Sequence, residues 1–258
     1  MTAALRVWES RLLIYRRIWL SNVLGSFVQP LLYLLGIGVG VGALVDRGTG
    51  ASAALEHVSY LSFLAPALLA TTAMLACANE AMWPVMDGFM WSEGFRSMAA
   101  TPLRPADIVN GTLLWHATRS GIAATGVAVA LACFGETRSW GLVPAIPAAV
   151  LTGLAIAMPI TAWSSTRHVD QSFPAIMRFV IMPMFLFAGT FYPIDQLPGW
   201  LRPVAYVTPL WHGVELCRGL VLDTIGAVAV VAHVCVLLVC IVAGLIVCRT
   251  TFARRLAQ

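Results

Sequence analysis

Long apolar stretches, separated by short polar segments, follow one another along this 258-residue chain. A helix that crosses a membrane needs about 20 mostly apolar residues, and six such stretches fit without overlap. We place them at residues 27–45, 58–78, 108–134, 142–163, 173–190 and 225–248. The pattern predicts an all-α polytopic membrane protein with six transmembrane helices in a single domain over residues 1–258.

The segment before the first apolar stretch has its own pattern. At 100° per residue, the large apolar side chains of residues 1–20 share one face, and these are Leu5, Trp8, Leu12, Tyr15 and Trp19. With arginines beside this face, the segment is typical of an amphipathic helix that lies along the inner membrane surface. The alternative is that it extends the first span into the cytosol.

Prolines and tryptophans cluster where the fifth apolar stretch ends. Pro193, Pro198, Pro203 and Pro209 follow one another within seventeen positions. Proline lacks an amide donor and interrupts helices, and lipid leaves such backbone unsatisfied unless protein or water covers it. We therefore predict an external re-entrant helical hairpin at residues 191–219, before the last span.

Composition supports the membrane assignment and limits the chemistry. The chain is 59% hydrophobic and 11% charged, with a mean hydropathy of +0.83, values outside the usual range of soluble domains. All sixteen basic residues are arginine, so a Walker A lysine is excluded and we expect no nucleotide or other cofactor on this chain. Eleven arginines fall in the termini and the internal loops, and four fall in the external loops, so both termini are predicted to be cytoplasmic.

The longest internal polar segment, residues 79–107, combines charges with large aromatic side chains. This combination suits a short amphipathic helix that offers one face to a cytosolic partner. We assign the contact with that partner to the residues directly before and within the Thr-Pro turn, namely Glu93, Phe95, Arg96, Met98, Thr101 and Pro102. Interfacial packing alone is the alternative.

Ionisable side chains inside a membrane cost several kcal/mol unless they face protein or water. His116 and Arg119 share a face of the third span, and we predict that they line the substrate pathway and attract an anionic or sugar-bearing group. In the alternative, Arg119 pairs with Glu80 or Asp170 to hold a gate. Large aromatic residues that suit a wide apolar pathway are Trp115, Trp163, Phe185 and Phe187.

Catalytic and metal-binding patterns are not apparent. The five histidines are scattered, and neither HExxH nor a cysteine–histidine ligand spacing occurs. The arginines follow membrane topology rather than forming a patch, so no nucleic acid is expected. Two other classes remain as alternatives to a transport subunit driven by a partner: an ion-gradient-driven secondary transporter and a membrane-embedded enzyme.

Four stretches together resemble a known family. They are the run from Pro30 to Gly40, Phe63-Leu-Ala-Pro, Met98-Ala-Ala-Thr-Pro-Leu-Arg-Pro, and the region from Phe185 to Arg218. They resemble the ABC-2 type permeases, especially the branch of lipooligosaccharide nodulation exporters and daunorubicin-type drug exporters. The residues that carry the strongest match are Gly189, Tyr192, Pro193, Leu197, Pro198, Trp200, Pro209 and Arg218.

The resemblance implies a subunit of the bacterial inner membrane that pairs with a second permease, identical or homologous. It implies two copies of a separate P-loop ATPase, which binds ATP and Mg²⁺, and export of a lipid-linked, glycolipid or hydrophobic drug-like substrate. It further implies that residues 87–101 form a coupling helix in a groove of the ATPase, and that residues 192–219 form two short external helices.

Overall fold

A computed structural model of the chain describes residues 3–42 and 58–257. These residues form helices joined by loops and turns, and they contain no strand. The helices are α1 (Ala3–Tyr33, continued by a π-helix at Leu34–Val41), α2 (Tyr60–Met90), α3 (Gly94–Ala99), α4 (Pro105–Ala132), α5 (Leu142–Ser164), α6 (Phe173–Phe187, with a π turn at Met177–Ile181), α7 (Arg202–Val207), α8 (Pro209–Val221) and α9 (Ala227–Leu256).

The centre of the bundle is the contact between α2 and α5. The backbones come close because Gly153 of α5 faces α2: a Cβ atom there would lie 2.9 Å from Cys77 Sγ and 3.1 Å from the Ala73 carbonyl oxygen. Most of α2 is buried, whereas α9 leaves many apolar side chains exposed, among them Val228 and Val239. The bundle is therefore packed around α2, with α9 at its periphery.

The two ends of the bundle are distinct, and we name them by their contents. The basal end holds the last turns of α2, α5 and α9, where Phe89 packs on Phe252 and Ser165 bonds to Thr251. The distal end holds the starts of α2 and α9 and the end of α4, where Ser59 donates to Glu136.

Three helices among the described residues are long and apolar enough to cross a membrane: α2, α5 and α9. Helix α5 agrees with the predicted span 142–163 to within one residue. The fifth predicted span differs, because the helix ends at Phe187 rather than Thr190. Its 15 residues reach only about 22 Å, short of the roughly 30 Å hydrocarbon core. The six-span count stays a prediction, and the end of the first span, with Arg47, lies outside the described residues.

The helix that contains the second predicted span does not end at Ala78, because α2 continues without a break to Met90. Its polar side chains are accommodated by the fold: Asn79 Nδ2 donates to the Leu75 carbonyl, and Glu80 accepts from Trp115. Only Gly94–Ala99 forms a separate short helix in the segment 79–107.

Helix α1 runs unbroken from the N-terminal segment into the first predicted span. Val7 packs against Gly111 of α4, and Trp8 Nε1 donates to Thr118 Oγ1 at 2.8 Å. The continuous helix is the secondary structure expected from the alternative, in which residues 1–20 extend the first span. The position of this segment at the membrane surface stays a prediction.

One close contact joins α5 to the peripheral helix α9. A Cβ atom at Gly244 would lie 2.7 Å from both the nitrogen and Cδ of Pro159. The glycine therefore lets the backbone of α9 lie directly against the proline inside α5.

Candidate functional site

A buried polar network joins α1, α2 and α4 in the basal half of the bundle. Glu80 Oε1 accepts from Trp115 Nε1 at 2.6 Å, and Glu80 Oε2 lies 3.4 Å from Arg119 Nε. Arg119 Nη1 also donates to the hydroxyl of Tyr15 at 3.0 Å. The side chains of Arg119 and Glu80 are only 10% and 16% exposed. Of the two acidic residues considered for Arg119, Glu80 is the one within ion-pair distance.

His116, one turn before Arg119, has different neighbours. Its Nε2 lies 2.9 Å from Thr161 Oγ1 on α5, and its backbone carbonyl accepts from Cys77 Sγ. Its Nδ1 is buried and has no hydrogen-bond partner among the described residues. His116 and Arg119 are thus both buried in helix contacts, and their role in a substrate pathway stays a prediction.

The four aromatic residues predicted for the pathway lie in three separate places. Trp115 belongs to the Glu80 network and packs on Tyr15, with ring centroids 5.5 Å apart. Trp163 lies at the basal end against Phe173, at 5.6 Å. Phe185 is buried at the distal end, and Phe187 is partly exposed. The fold therefore distributes them along the bundle, and their role in a substrate pathway stays a prediction.

Three phenylalanines form the basal cluster: Phe89 of α2, Phe95 of α3 and Phe252 of α9. Their ring centroids lie 4.8 to 5.2 Å apart. All three rings are buried, and Arg11 of α1 lies over Phe95, with Cζ 4.9 Å from the centroid. Four helices therefore meet at this cluster.

The other residues predicted to contact a partner lie around Phe95. Glu93 and Arg96 form an exposed ion pair at 3.8 Å, with side chains 59% and 50% accessible. Met98 is partly buried against the core, and Thr101 and Pro102 are exposed. Helix α3 thus has one large side chain fixed in the bundle and a charged face directed outward.

Sequence reasoning did not identify Phe252 and Arg255. Arg255 Nη1 donates to the backbone carbonyls of Ser165 and Arg167, the latter at 2.6 Å. Its guanidinium carbon also lies 4.6 Å from the centroid of the Phe89 ring. The signal in the sequence is the spacing, since a phenylalanine and an arginine three residues apart on a helix share one face.

At the distal end, Arg218 joins two of the stretches that carry the family resemblance, because it contacts both Gly189 and Phe63. Its Nη2 donates to the Gly189 carbonyl at 2.7 Å and its Nε to the Phe63 carbonyl at 3.3 Å. It pairs with Glu215 at 2.6 Å and lies over the Phe63 ring at 3.8 Å. Gly189 has a φ of +78°, a conformation that favours glycine.

Residues 188–208 contain most of the residues that carry the family resemblance, and we call them the signature loop. This loop is folded on itself. Arg202 donates to the backbone carbonyls of Asp195 and Leu197, and Leu197 is buried. Tyr192 packs against a small apolar cluster formed by Ile194, Leu197 and Ala205. Pro193 precedes a 3₁₀ turn and Pro209 opens α8, whereas Pro198 and Trp200 are exposed.

Helix α8 runs antiparallel to α5. Gly213 packs on Thr152, and Cys217 Sγ donates to the Ala145 carbonyl at 3.6 Å. Gly141, just before α5, packs on Leu220. Gly213, in the second turn of α8, therefore lies about 15 Å along α5 from its distal end, at a rise of about 1.5 Å per residue, and the start of α8 lies deeper still.

Comparison with known proteins decides the family. Residues 3–222 match the family described as ABC-2 type transporter. This chain belongs to the ABC-2 type transporter family. Members are membrane subunits of transporters and work with an ATP-binding partner subunit. With its apolar helices, the chain is a multi-pass membrane protein.

Curated relatives named Nodulation protein J are similar along nearly the whole chain. The protein from Rhizobium leguminosarum bv. viciae is 33% identical over 257 residues, which cover 98% of this chain and 95% of the relative. The protein from Rhizobium meliloti (strain 1021) is 33% identical, over 84% of this chain and 80% of the relative.

Proposed function

We propose that this ABC-2 permease is the membrane subunit of an exporter in the bacterial inner membrane. It moves a lipid-linked, glycolipid or hydrophobic drug-like substrate out of the cytosol or inner leaflet. The observation that carries the proposal is the family match over residues 3–222. The sequence contains no lysine, which supports a separate P-loop ATPase as the subunit that binds ATP and Mg²⁺.

The basal end faces the cytosol in this proposal, with both termini. It contains the last turns of α9, with Arg249, Arg254 and Arg255, and the segment with Arg96 and Arg104. An excess of arginine in short segments beside spans marks the cytoplasmic side. The distal end, with the signature loop, then faces outward.

Helix α3 is the coupling helix in this arrangement. Phe95 fixes it to the bundle, while the Glu93–Arg96 pair faces outward where an ATPase groove could engage it. Two ATPase copies would each contact one permease of a pair. Gly36 and Gly40 support a second permease, because both are exposed and a Cβ at Gly36 would have no neighbour within 4 Å.

We assign α7 and α8 to the re-entrant hairpin, because α8 begins deep along α5. The exposed apolar Val207 lies just before the turn at Thr208. In a background with Cys133 and Cys235 replaced by serine, Val207→Cys should resist a membrane-impermeant maleimide added from outside, and Gly199→Cys should react. Equal reaction of both would contradict the assignment.

The Glu80–Arg119 network acts as a gate on the cytoplasmic side. It ties α1, α2 and α4 together through one ion pair and two further hydrogen bonds. Opening a pathway between these helices requires the pair to separate, so its strength should control transport without controlling assembly.

Single and double substitutions test the gate. Arg119→Gln leaves Glu80 as a buried carboxylate without its cation, which costs about 3–5 kcal/mol when a buried pair is broken. We expect a fluorescent phospholipid to cross proteoliposome membranes faster without ATP, because the pair no longer holds the gate closed, while the ATPase stays bound. The matched double variant, Glu80→Gln with Arg119→Gln, removes both charges and should restore stability but not regulated closure. Unaltered transport in both variants would contradict the gate.

Purification tests the whole proposal. The tagged chain is isolated from its native membrane in mild detergent, bound subunits are identified by mass spectrometry, and vanadate-sensitive ATP hydrolysis is measured. We expect a stoichiometric P-loop ATPase, and a second permease sequence, if present, identifies a heterodimer. Recovery of this chain alone without hydrolysis would refute the proposal.

A further inference from the structure

The contacts of the basal cluster point to a role for the last turns of α9. Phe95 is the only residue of α3 that is fully buried among the described residues. Its ring packs on Phe89 of α2 and Phe252 of α9, and Gly88 leaves room for the ring edge, since a Cβ there would lie 2.5 Å from Phe95 Cε2. Any displacement of α3 therefore acts on this ring and its neighbours.

The same turns of α9 also hold the loop of residues 165–172, which follows α5 at the basal end. Arg255 donates to the carbonyls of Ser165 and Arg167. One helical turn earlier, Thr251 Oγ1 accepts from Ser165 Oγ at 2.8 Å. Phe252 and Arg255 are three residues apart, so one short piece of helix contacts α3 on one side and the loop on the other.

We propose that Phe252 and Arg255 are positioning residues that transmit the movement of α3 to the loop 165–172. This rests on the proposed coupling role of α3. When the ATPase shifts α3, the Phe95 ring pushes Phe252, the last turns of α9 move with it, and Arg255 carries the loop through its two carbonyl bonds. The segment between α2 and α4 and the loop 165–172 then respond to the ATPase as one unit, although only the former contains the coupling helix α3.

Hydrogen–deuterium exchange tests this in the complete complex with its ATPase, reconstituted in nanodiscs. Amide exchange is compared between the nucleotide-free complex and the complex trapped with Mg-ATP and vanadate, because exchange reports local opening. In the unmodified protein, we expect trapping to change exchange in both residues 94–99 and residues 165–172. A response at 94–99 without one at 165–172 would overturn the inference and leave the coupling role of α3 intact.

Substitutions then identify the transmitting group. Arg255→Gln should abolish the response at 165–172 and retain the response at 94–99, and Arg254→Gln is the matched control, because Arg254 is exposed and adjacent. Phe252→Leu, which keeps an apolar side chain, should weaken the same response if Arg255→Gln fails to assemble. A normal loop response in both variants would also overturn the inference. Absence of any ATPase from the unmodified complex would instead refute the proposed function.

Discussion

Each end of the bundle fixes a buried arginine in the same kind of site, but the two sites differ in charge compensation. Arg218 and Arg255 both lie over a phenylalanine ring and both donate to two or more backbone carbonyls. Arg218 also has a carboxylate partner, Glu215. Among residues 3–42 and 58–257, no acidic side chain lies within ion-pair distance of Arg255, and its Nη2 has no partner.

This difference indicates that the site of Arg218 is fixed, whereas the site of Arg255 can adapt. A buried charge with both a carboxylate and oriented carbonyls is expensive to displace, because each lost contact leaves a group unsatisfied. Arg255 is held by the carbonyls of one loop, so it can move together with that loop without separating an ion pair. We infer that the distal end is the static part of the molecule and the basal end the responsive one.

The largest loss of stability is expected when the distal site is disrupted. Arg218→Met removes the cation and leaves Glu215 and the carbonyls of Gly189 and Phe63 without their donor. The side chain of Glu215 is 36% exposed and is screened by solvent, so the main cost comes from the two carbonyls, at about 1–3 kcal/mol for each unsatisfied group. The apparent melting temperature in detergent should therefore fall strongly. Arg138→Met, at an exposed arginine of the same end, is the control and should leave it unchanged. Equal effects would show that Arg218 is not a structural anchor.

A smaller effect is expected from overpacking the contact between α5 and α8, in the middle of the bundle. The Cβ of Gly213→Ala would overlap the side chain of Thr152, which lies in the core between α5 and α8. Overpacking lowers the stability by about 1–3 kcal/mol. The better helix propensity of alanine offsets up to about 1 kcal/mol of this loss. The control Gly121→Ala has only one neighbour, at 3.8 Å, and should be neutral or slightly stabilising. A neutral Gly213→Ala would contradict the depth of α8.

The matched substitution at the basal end sharpens the comparison. Gly88→Ala places a Cβ against the edge of the Phe95 ring, but α3 is short and can shift outward. We expect a stability loss of about 1 kcal/mol or less and faster proteolysis in residues 91–104. A loss as large as that of Gly213→Ala would mean that the basal end is as rigid as the packed contact between α5 and α8.

The smallest effect is expected at the exposed pair of α3. Glu93→Gln removes an ion pair of 3.8 Å between accessible side chains, a type that contributes about 0–1 kcal/mol. The melting temperature of the isolated permease should not change, whereas binding of the ATPase should weaken if this face is its contact. Unchanged binding would assign the contact to other residues.

The sequence predicted some elements well because their limits are local. The span 142–163 has an apolar run between a glycine and a polar Ser-Ser-Thr segment, and α5 follows it closely. The end of α2 was not predictable in the same way. Glu80 looks like a helix end in a hydropathy pattern, and only Trp115 and Arg119, more than 30 residues later, show why it can be buried.

The candidate sites show the same division. Arg119 was identified by its position within an apolar run, but the choice between Glu80 and Asp170 required the fold. The resemblance marked Gly189 and Arg218 as separate positions, and the structure shows that one bonds to the other. Phe252 and Arg255 were missed because a phenylalanine and an arginine at the end of an apolar span are ordinary until their neighbours are known.

The contact between Pro159 and Gly244 has a mechanical consequence. Proline has no amide hydrogen, so α5 lacks a rung of its hydrogen-bond ladder at Pro159, as it also does at Pro147 near its start, and bending costs less at these points. Gly244 presents a smooth backbone surface to Pro159, because it has no side chain to resist sliding. Pro159 lies about one and a half turns before the end of α5, so the basal end of this helix can tilt there while the packed contact between α2 and α5 at Gly153 stays in place.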